Sequence, residues 1–413
     1  MRDAARHSFA ESAASTAVPA APAVAVPPAV AAPLAVAAPL AVRRLVLNDF
    51  RSYATLRLEL DPRPVVLTGP NGAGKTNLLE ALSFLAPGRG LRRARLEEVG
   101  RRGAGASAPW AVAATVATAQ GALEIGTGRD PETDPATARR LLRIDGKPAR
   151  SQAELARHLS VLWVTPDMDR LFQEGPSARR RFLDRMVYGL DAEHAARVAA
   201  YDHAQRERAR LLREGTRDAT WLDALESAMA ETGVAIAAAR RRLVRRLSST
   251  LAQARGPFPA AAVALEGTLE GWLDEAPALA AEERFRTLLA AARAEDALAG
   301  GAKDGPHRSD LAVRHLASGL PAALASTGEQ KALLLSLVLA HARLETLERG
   351  AVPLLLLDEV AAHLDRVRRQ ALDEELLAFG SQAWLTGTDE AMFESLGAAA
   401  QHFRVVDGNV VPR

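Results

Sequence analysis

The chain of 413 residues contains no cysteine, which excludes disulfides and thiolate metal sites. Lysine is also scarce, and the four that occur are Lys75, Lys147, Lys303 and Lys331. The basic charge is therefore nearly all arginine, which binds phosphate with paired hydrogen bonds and so suits nucleic acid. Arginine-rich codon usage in a GC-rich genome explains the same bias. The formal net charge of +2 says little about partners.

No apolar run reaches the ~20 residues that a membrane-spanning helix needs. The first 42 residues are an Ala/Pro/Val-rich segment in which prolines interrupt every apolar stretch, so the layout of a signal peptide is missing. We therefore predict a cytoplasmic protein without a membrane partner, whose residues 1–42 form a disordered extension that can be removed.

Ordered structure is predicted from residue 43 onward. Alternating leucines predict two short strands around the segment NDFRSY. The segment PVVLTGPNGAGKTNLLEALSFLAPGRG predicts a buried strand, a glycine-rich turn and a helix that carries Leu85 and ends at Pro87-Gly88. The pattern becomes helical near residue 176 and strand-rich again before residue 301. This order predicts one α/β domain (43–175 and 301–413) with a mainly helical lobe (176–300) inserted; two independent domains are the alternative.

The segment GPNGAGKT matches the phosphate-binding pattern G-x-x-x-x-G-K-[ST] between a predicted strand and a predicted helix. In such a loop the backbone N–H groups surround the phosphates, the lysine reaches the terminal phosphates and the threonine hydroxyl is a ligand for Mg²⁺. The candidate nucleotide-binding residues are Gly69, Pro70, Asn71, Gly72, Ala73, Gly74, Lys75 and Thr76.

A second element of an ATPase site is predicted in VPLLLLDEV. The four leucines indicate a buried strand, and Asp358 at its carboxyl end is placed to hold Mg²⁺. Glu359 follows directly and can polarise the water that attacks the γ-phosphate. The alternative is an acidic pair that merely opens a loop, and the phosphate loop upstream disfavours it.

A third anion-binding segment lies far downstream, where a small polar loop opens into an apolar helix. It consists of Ser326, Thr327, Gly328, Glu329 and Gln330. Free N–H groups and the helix dipole favour an anion at a helix N-terminus. Because the first two motifs leave the γ-phosphate open on one side, we predict that this loop caps the ATP of a second, identical subunit.

Together these motifs resemble the ABC-type ATPases. STGEQ resembles their signature loop, although Thr327-Gly328 stands where two glycines are more common. AAHLD, which ends at Asp365, resembles the loop that crosses the dimer interface, and WLTGT places Thr386 or Thr388 where a histidine is usual. The resemblance implies an ABC-type ATPase head, which is a mixed sheet with helices and a P-loop.

The segments LNDFRSY, PGRGLRR, RRRFLDRM, DGPHRSDL and LLLLDEVAAHLD resemble the RecF family, over about residues 43 to 412. This resemblance implies an ATP-dependent homodimer that binds double-stranded and gapped DNA, helps to load recombinase in replication and recombinational repair, and hydrolyses ATP slowly in a DNA-dependent way. It also implies cooperation with RecR and RecO.

Two other functions are compatible with parts of the pattern. The ATPase subunit of a membrane transporter uses the same three motifs, but the long arginine-rich lobe does not suit it. A scaffold that binds ATP without hydrolysing it is disfavoured by the intact Asp358-Glu359 pair.

Arginines that alternate with glycines in GRGLRRARLEEVGRRG and ARRRFLDR can follow a phosphate backbone. A solvated basic face is the alternative. The DNA-binding candidates are Arg89, Arg92, Arg93, Arg101, Arg102, Arg180 and Arg181. The arginines at 240–242, 245 and 246 are interpreted as a plain helix surface.

Two further pairs have open interpretations. Arg51 and Tyr53 are placed to flank the adenine base, although Tyr53 also fits a core position. His307 and Arg308 in DGPHRSDL precede a strand. Three alternatives stay open for them: they face the nucleotide, the DNA or the core.

Overall fold

The computed structural model describes residues 40–101, 103, 109–130, 139–215, 218–253 and 256–413. The predicted disordered extension lies outside these residues up to position 39, and so does the candidate Arg102. The first strand begins at Ala41, earlier than predicted, because the backbone of Val42 forms two hydrogen bonds with the buried amide of Gln382.

The described strands form three sheets. They are β1 (Ala41–Phe50), β2 (Tyr53–Glu59), β3 (Val65–Thr68), β4 (Ala111–Thr118), β5 (Gly121–Arg129), β6 (Arg140–Ile144), β7 (Lys147–Pro148), β8 (Val161–Val164), β9 (Ala261–Glu266), β10 (Asp310–His315), β11 (Leu354–Leu357), β12 (Ala383–Gly387), β13 (Gln401–Val406) and β14 (Asn409–Pro412).

The described helices are α1 (Lys75–Ser83), α2 (Leu96–Val99), α3 (Leu155–His158), α4 (Pro176–Leu190), α5 (His194–Arg213), α6 (Ala219–Gln253), α7 (Thr268–Glu275), α8 (Ala278–Ala291), α9 (Arg293–Ala299), α10 (Thr327–Arg349) and α11 (Arg366–Phe379). None of these helices has both the length and the apolar character that crossing a bilayer would require.

The central sheet has the order β14-β13-β3-β12-β11-β8, and all its pairings are parallel except β13–β14. An antiparallel sheet has the order β2-β1-β4-β5-β6-β7, and β9 pairs with β10 in a separate two-stranded sheet. Strands from both ends of the chain therefore meet in one sheet, which places the ends of β3, β11 and β12 at a common edge.

The central sheet separates two apolar cores, since successive side chains of a strand point to opposite faces. On one face, Val65 and Leu67 pack in a cluster with α1 and the antiparallel sheet. On the other face, Val66 and Leu355 pack in a cluster with α4, α6, α10 and α11. The third cluster belongs to the segment predicted as a lobe and joins α5, α6, α7 and α8.

Helix α1 ends at Ser83, so the prediction that it continues to Pro87 was wrong. The Ser83 hydroxyl donates to the Glu80 carbonyl and accepts from the Leu91 N–H, and residues 84–86 continue in a tighter turn with bonds three residues back. Leu85, which belongs to this turn, is nevertheless fully buried in the core.

Arg240 is buried, which contradicts its interpretation as part of a plain helix surface. It donates from Nε and Nη2 to both carboxylate oxygens of Asp184, at 2.7 and 2.8 Å, and from Nη1 to the Pro306 carbonyl. His194 bonds the same carboxylate at 2.8 Å. Burial would raise the pKa of Asp184, but Arg240 and His194 hold it well below its ordinary value. This cluster ties α4, α5 and α6 to the segment before β10.

Replacing Arg240 with methionine leaves the Asp184 carboxylate buried without its guanidinium. We expect the free energy of unfolding in urea to fall by about 3–5 kcal/mol, since removing one partner of a buried ion pair is costly and only the bond to His194 remains. The exposed Arg242 on the same helix offers a matched control, and Arg242→Met should change the free energy by less than about 0.5 kcal/mol. Equal small losses in both variants would contradict the structural importance of the Arg240–Asp184 pair.

Candidate nucleotide-binding site

The phosphate loop joins β3 to α1 at the carboxyl edge of the central sheet. Asp358 follows β11, and Thr386 lies near the end of β12, which pairs with both β3 and β11. Ligands of open α/β sheets bind outside the carboxyl ends of parallel strands. The fold therefore brings the loop, the acidic pair and the threonine of WLTGT together, as the sequence predicts.

Two loop positions require glycine. Gly69 has φ +149°, and a Cβ atom there would lie 2.1 Å from the Val405 carbonyl oxygen. Gly74 has φ +117°, and a Cβ atom there would lie 2.7 Å from the Tyr53 hydroxyl. Any side chain at either position would push the loop away from the neighbouring strands, so these glycines keep the loop against the sheet.

Lys75 is the first residue of α1 and is almost completely buried. Its Nζ atom donates to the carbonyl oxygens of Gly69 and Pro70, at 2.6 and 2.9 Å. Burial lowers the pKa of Lys75, while the charges of Glu359 and Asp358 act in the opposite direction. The ammonium group therefore lies inside the loop, close to both acids, where it can exchange its carbonyl partners for phosphate oxygens.

The Asp358 carboxylate is held by two hydroxyl groups that are far apart in the chain. Thr76 Oγ1 and Thr386 Oγ1 both donate to its Oδ1 atom, at 3.0 and 2.7 Å. Burial raises the pKa of Asp358, and the two hydrogen bonds oppose that rise. The structure thus selects Thr386 over the exposed Thr388 as the threonine that belongs to the site.

Glu359 has a left-handed backbone conformation, with φ 52° and ψ 24°. A side chain at positive φ is strained, and such strain persists where the surrounding structure imposes it. The Thr386 hydroxyl accepts a hydrogen bond from the Glu359 N–H at 2.9 Å. Thr386 therefore fixes both acids at once, and the Glu359 side chain remains partly exposed.

The residues present suit Mg²⁺. Among the described residues no lysine, arginine or histidine forms an ion pair with Asp358, so a buried carboxylate has only neutral hydroxyl partners. Carboxylate, hydroxyl and phosphate oxygens are the ligands that Mg²⁺ prefers. Thr76 and Asp358 would hold the ion, which when bound neutralises charge on the phosphate oxygens.

The signature segment is not a loop, which corrects the prediction for Thr327 to Gln330. Helix α10 begins at Thr327, and Ser326 is its N-cap. Ser326 Oγ accepts from the Glu329 N–H at 3.3 Å, while the Glu329 carboxylate accepts from the Ser326 N–H and hydroxyl, both at 2.9 Å. This capping box starts the helix earlier than the polar composition suggests.

Only part of this segment is available to a ligand. Ser326, Thr327 and Glu329 are exposed, but Gln330 is buried and donates to the Ala325 carbonyl at 2.8 Å. No hydrogen bond or ion pair joins residues 326–330 to the phosphate loop among the described residues. The helix N-terminus is thus exposed and separate from the phosphate loop of its own chain.

Asp365, the predicted interface residue, is the exposed N-cap of α11 and accepts from the Arg368 N–H at 2.8 Å. The charge of Arg368 also acts on Glu329, since it helps to lower the pKa of that carboxyl after the two hydrogen bonds from Ser326. The starts of α10 and α11 are therefore close enough for these charges to interact, and both caps, Ser326 and Asp365, are exposed.

A buried carboxylate that the sequence analysis missed organises the rim of the site. Glu80, on α1, is fully buried and accepts from Arg51 at 2.5 and 2.8 Å and from Arg92 at 2.7 Å. Arg92 also donates to Asn77, and its charge acts on Asp358. The only sequence signal is that Glu80 falls one helical turn after Thr76, among leucines.

This arrangement decides the interpretation of Tyr53. It is buried and donates its hydroxyl to the Gly74 carbonyl at 3.0 Å, and burial raises its pKa. Tyr53 is a core residue that supports the phosphate loop. Arg51 is held by Glu80, mostly buried, so stacking of either residue on adenine stays a prediction without geometric support.

The DNA-binding candidates divide into two groups. Arg92 is bound to Glu80, Arg101 to Asp49 at 2.7 Å, and Arg180 donates to the Ser309 carbonyl at 2.7 Å. These three are committed to contacts within the chain. The second group contains Arg89, Arg93 and Arg181.

The second group forms a cluster of like charge. Burial lowers the pKa of Arg93, and the charges of Arg181 and Arg89 lower it further. Arg181 donates only to the Ser177 hydroxyl among the described residues, and no acid is paired with any of the three. The surface they form, across the segment after α1 and the second turn of α4, is therefore able to accept an anion.

His307 faces the core. Its Nδ1 atom bonds the Tyr201 hydroxyl at 2.8 Å, and its Nε2 atom bonds the Ala302 carbonyl at 2.9 Å. Arg308 approaches the same carbonyl at 3.4 Å. Of the three alternatives for DGPHRSDL, the structure supports the core for His307.

The model of the RecF/RecN/SMC N-terminal domain matches residues 41–409. The chain is 52% identical, over 370 residues, to the DNA replication and repair protein RecF of Rhizobium meliloti (strain 1021). That alignment covers 89% of this chain and 97% of the relative. The chain belongs to the RecF family. A RecF of Mesorhizobium japonicum is 50% identical over 374 residues, covering 90% of this chain and 97% of the relative.

Solved structures agree with this fold. A structure of the recombination mediator protein RecF with ATP, in the RecFOR pathway, has a TM-score of 0.77 at 22% identity and covers 91% of this chain and 99% of that one. An Smc head domain from Pyrococcus furiosus, bound to part of ScpA, has a TM-score of 0.51 at 17% identity, with 91% and 96% coverage.

Membership of the RecF family confirms the predicted family, the ATPase-head fold, the ATPase class and the function in DNA replication and repair. These matches give the transporter alternative no support. The domain boundaries and the roles of individual site residues stay predictions.

Thr386→Val removes the hydroxyl that fixes Asp358 and Glu359 while keeping the shape of the side chain. We expect the Mg²⁺ concentration for half-maximal ATP hydrolysis to rise about 10- to 100-fold, as for groups that orient a metal ligand. A magnesium titration of steady-state hydrolysis measures it. The exposed Thr388→Val is the matched control and should behave as wild type; an unchanged Thr386→Val would contradict the assignment.

Proposed function

We propose that ATP closes two copies of this chain into a dimer on DNA at single-strand gaps and that slow, DNA-dependent hydrolysis releases it. One observation carries this proposal. The phosphate loop and both acids are assembled within one chain, whereas the N-terminus of α10 is exposed and, in the described part of the chain, forms no hydrogen bond or ion pair with them. A second copy can supply that helix terminus to the open side of the nucleotide.

Each residue has a distinct task in the proposed site. The loop N–H groups and Lys75 bind the β- and γ-phosphates, and Thr76 and Asp358 hold Mg²⁺. Glu359 accepts a proton from the attacking water, and its strained backbone helps to orient the Glu359 side chain. Ser326 and the first N–H groups of α10 bind the γ-phosphate of the partner's nucleotide, so ATP favours the dimer by bonds that exist only in the closed state.

DNA contact is proposed for the cluster of Arg89, Arg93 and Arg181. Among the predicted candidates they have no acidic partner in the described chain, so their charge is available to phosphates. Such binding is independent of sequence and weakens with salt. Arg92, Arg101 and Arg180 are less suited, because binding DNA would require them to leave Glu80, Asp49 or the Ser309 carbonyl.

The resemblance to the RecFOR-pathway protein supports RecR and RecO as partners and recombinase loading at gaps as the outcome. Both double-stranded and gapped DNA are proposed as ligands, since a clamp on a gap contacts duplex beside it. A cytoplasmic location is proposed on the same grounds.

Ser326→Arg places a bulky cation at the proposed interface. We expect this variant to bind ATP with wild-type affinity, because Ser326 does not contact its own phosphate loop, but to stay monomeric. Lys75→Met should lose both ATP binding and dimerisation. Sedimentation velocity with ATP and Mg²⁺, with and without gapped duplex, measures the dimer, and fluorescent ATP measures binding.

A conservative exchange at the same position provides the control. Ser326→Thr keeps the cap hydroxyl, and ATP should still produce dimers of this variant. Dimerisation of Ser326→Arg with ATP would contradict a shared site. If wild type also stays monomeric and ignores DNA, the α10 terminus is only a helix cap.

Glu359→Gln keeps the shape of the side chain but cannot accept a proton. We expect ATP binding and dimerisation to persist, with hydrolysis reduced about 10²- to 10⁴-fold, which is the usual contribution of a general base. The complex with gapped DNA should live correspondingly longer, and dissociation after rapid dilution measures this. Hydrolysis at the wild-type rate would assign the base to another residue.

A further inference from the structure

A cavity of about 1020 Å³ opens between the segment after α1 and the β6–β7 hairpin. One wall consists of residues 88, 89 and 94–97, and the other of residues 139–142 and 148–152. None of the nucleotide-site residues lines it. We call it the arginine groove, because the described residues that line it include one acid, Glu97, and five arginines: Arg89, Arg95, Arg139, Arg140 and Arg150.

Arg140 forms a fixed base for this groove. Its guanidinium donates to the carbonyl oxygens of Phe84 and Gly88, the latter at 2.9 Å, and to the Thr127 hydroxyl at 2.8 Å. No carboxylate of the described residues pairs with it, and burial lowers its pKa to about 9. Its position is therefore set by neutral partners, and its charge is left for an external anion to balance.

Two further arginines at the rim are free to bind. The guanidinium groups of Arg139 and Arg150 form no hydrogen bond or ion pair with the described residues, and the Arg95–Glu97 pair is long, at 4.0 Å. Apolar side chains lie between these charges, and Leu141 is 47% exposed. The remaining apolar lining residues are Ala94, Leu96, Leu142, Pro148 and Ala149.

This mixture distinguishes the possible ligands. Single-stranded nucleic acid binds on aromatic rings, and none of the described residues that line the groove is aromatic. A duplex offers phosphates to the arginines but nothing that would pack on Leu141. A peptide that carries both carboxylates and apolar side chains can pair with the arginines and pack on the apolar residues of the lining, as at protein interfaces with charged rims.

We propose that the arginine groove docks an acidic peptide segment of a partner protein, with leucine or phenylalanine between its carboxylates. The site is separate from the proposed ATP-closed dimer and does not depend on it. Arg89 lines the groove and also belongs to the cluster of Arg89, Arg93 and Arg181, so the partner would lie next to the proposed DNA surface.

The test uses the full chain and a fluorescein-labelled ten-residue peptide of alternating aspartate and leucine, measured by fluorescence anisotropy. We expect an aspartate–glycine peptide of equal charge to bind at least about tenfold more weakly, because it lacks the apolar contacts. Arg139→Glu/Arg150→Glu should weaken the aspartate–leucine peptide by at least about tenfold. The control Arg206→Glu/Arg213→Glu makes the same charge change on exposed arginines of α5 and should leave the affinity unchanged.

Three results would overturn the proposal. Equal affinity for the two acidic peptides would mean unspecific charge attraction. If Arg139→Glu/Arg150→Glu weakens binding of a gapped duplex as much as that of the peptide, the groove is a DNA surface. Glu132 and Asp134 belong to the connection 131–138, which lies outside the described residues. If the peptide binds only to the variant Glu132→Gln/Asp134→Asn, the groove is occupied by these acids of the same chain and not by a partner. Arg139→Gln/Arg150→Gln repeats the test should the charge reversal prevent folding.

Discussion

The hydrogen bonds from Thr76 and Thr386 to the Asp358 carboxylate are the contacts on which the rest of the site depends. They join segments 282 and 28 residues apart, and they form only because β12 pairs with both β3 and β11. A buried carboxylate needs such donors, since burial alone disfavours its charged form. The sheet order is therefore a requirement of the chemistry, and any change in the register of β12 would uncouple both acids from the phosphate loop.

A second constraint fixes the N-terminus of α10 relative to this sheet. The Gln330 side chain donates a hydrogen bond to the Ala325 carbonyl in the preceding segment. The Nζ atom of the buried Lys331 lies 3.3 Å from the carboxylate of Asp169, a residue that follows β8. Most of the remaining helix is buried in the core on the face of the central sheet that carries Val66 and Leu355. The exposed cap at Ser326 is consequently attached to a rigid element.

The sequence predicted the elements whose signals are local. The phosphate loop and the family follow from short motifs, and the strand before Asp358 follows from a run of four leucines. The long-range pairs did not follow. Nothing near Glu80 indicates that it binds two arginines from other segments, and Arg240 resembles its exposed neighbour Arg242 until the fold places Asp184 beside it. Burial of charge depends on tertiary packing, so sequence periodicity in an alanine-rich helix cannot distinguish these two arginines.

The bonds of the α10 capping box compete with the bonds that the proposed closure would form. In the free chain Ser326 already donates its hydroxyl hydrogen to the Glu329 carboxylate, whose pKa is lowered by its bonds to Ser326. A γ-phosphate arriving from a second subunit would compete with this carboxylate and be repelled by it. An N-cap contributes about 0.5–2 kcal/mol, whereas charge-assisted bonds to phosphate are stronger and several form together. The competition therefore does not prevent closure on ATP. It disfavours closure on ADP, which has no γ-phosphate to replace Glu329, and this asymmetry is what a clamp that opens after hydrolysis requires.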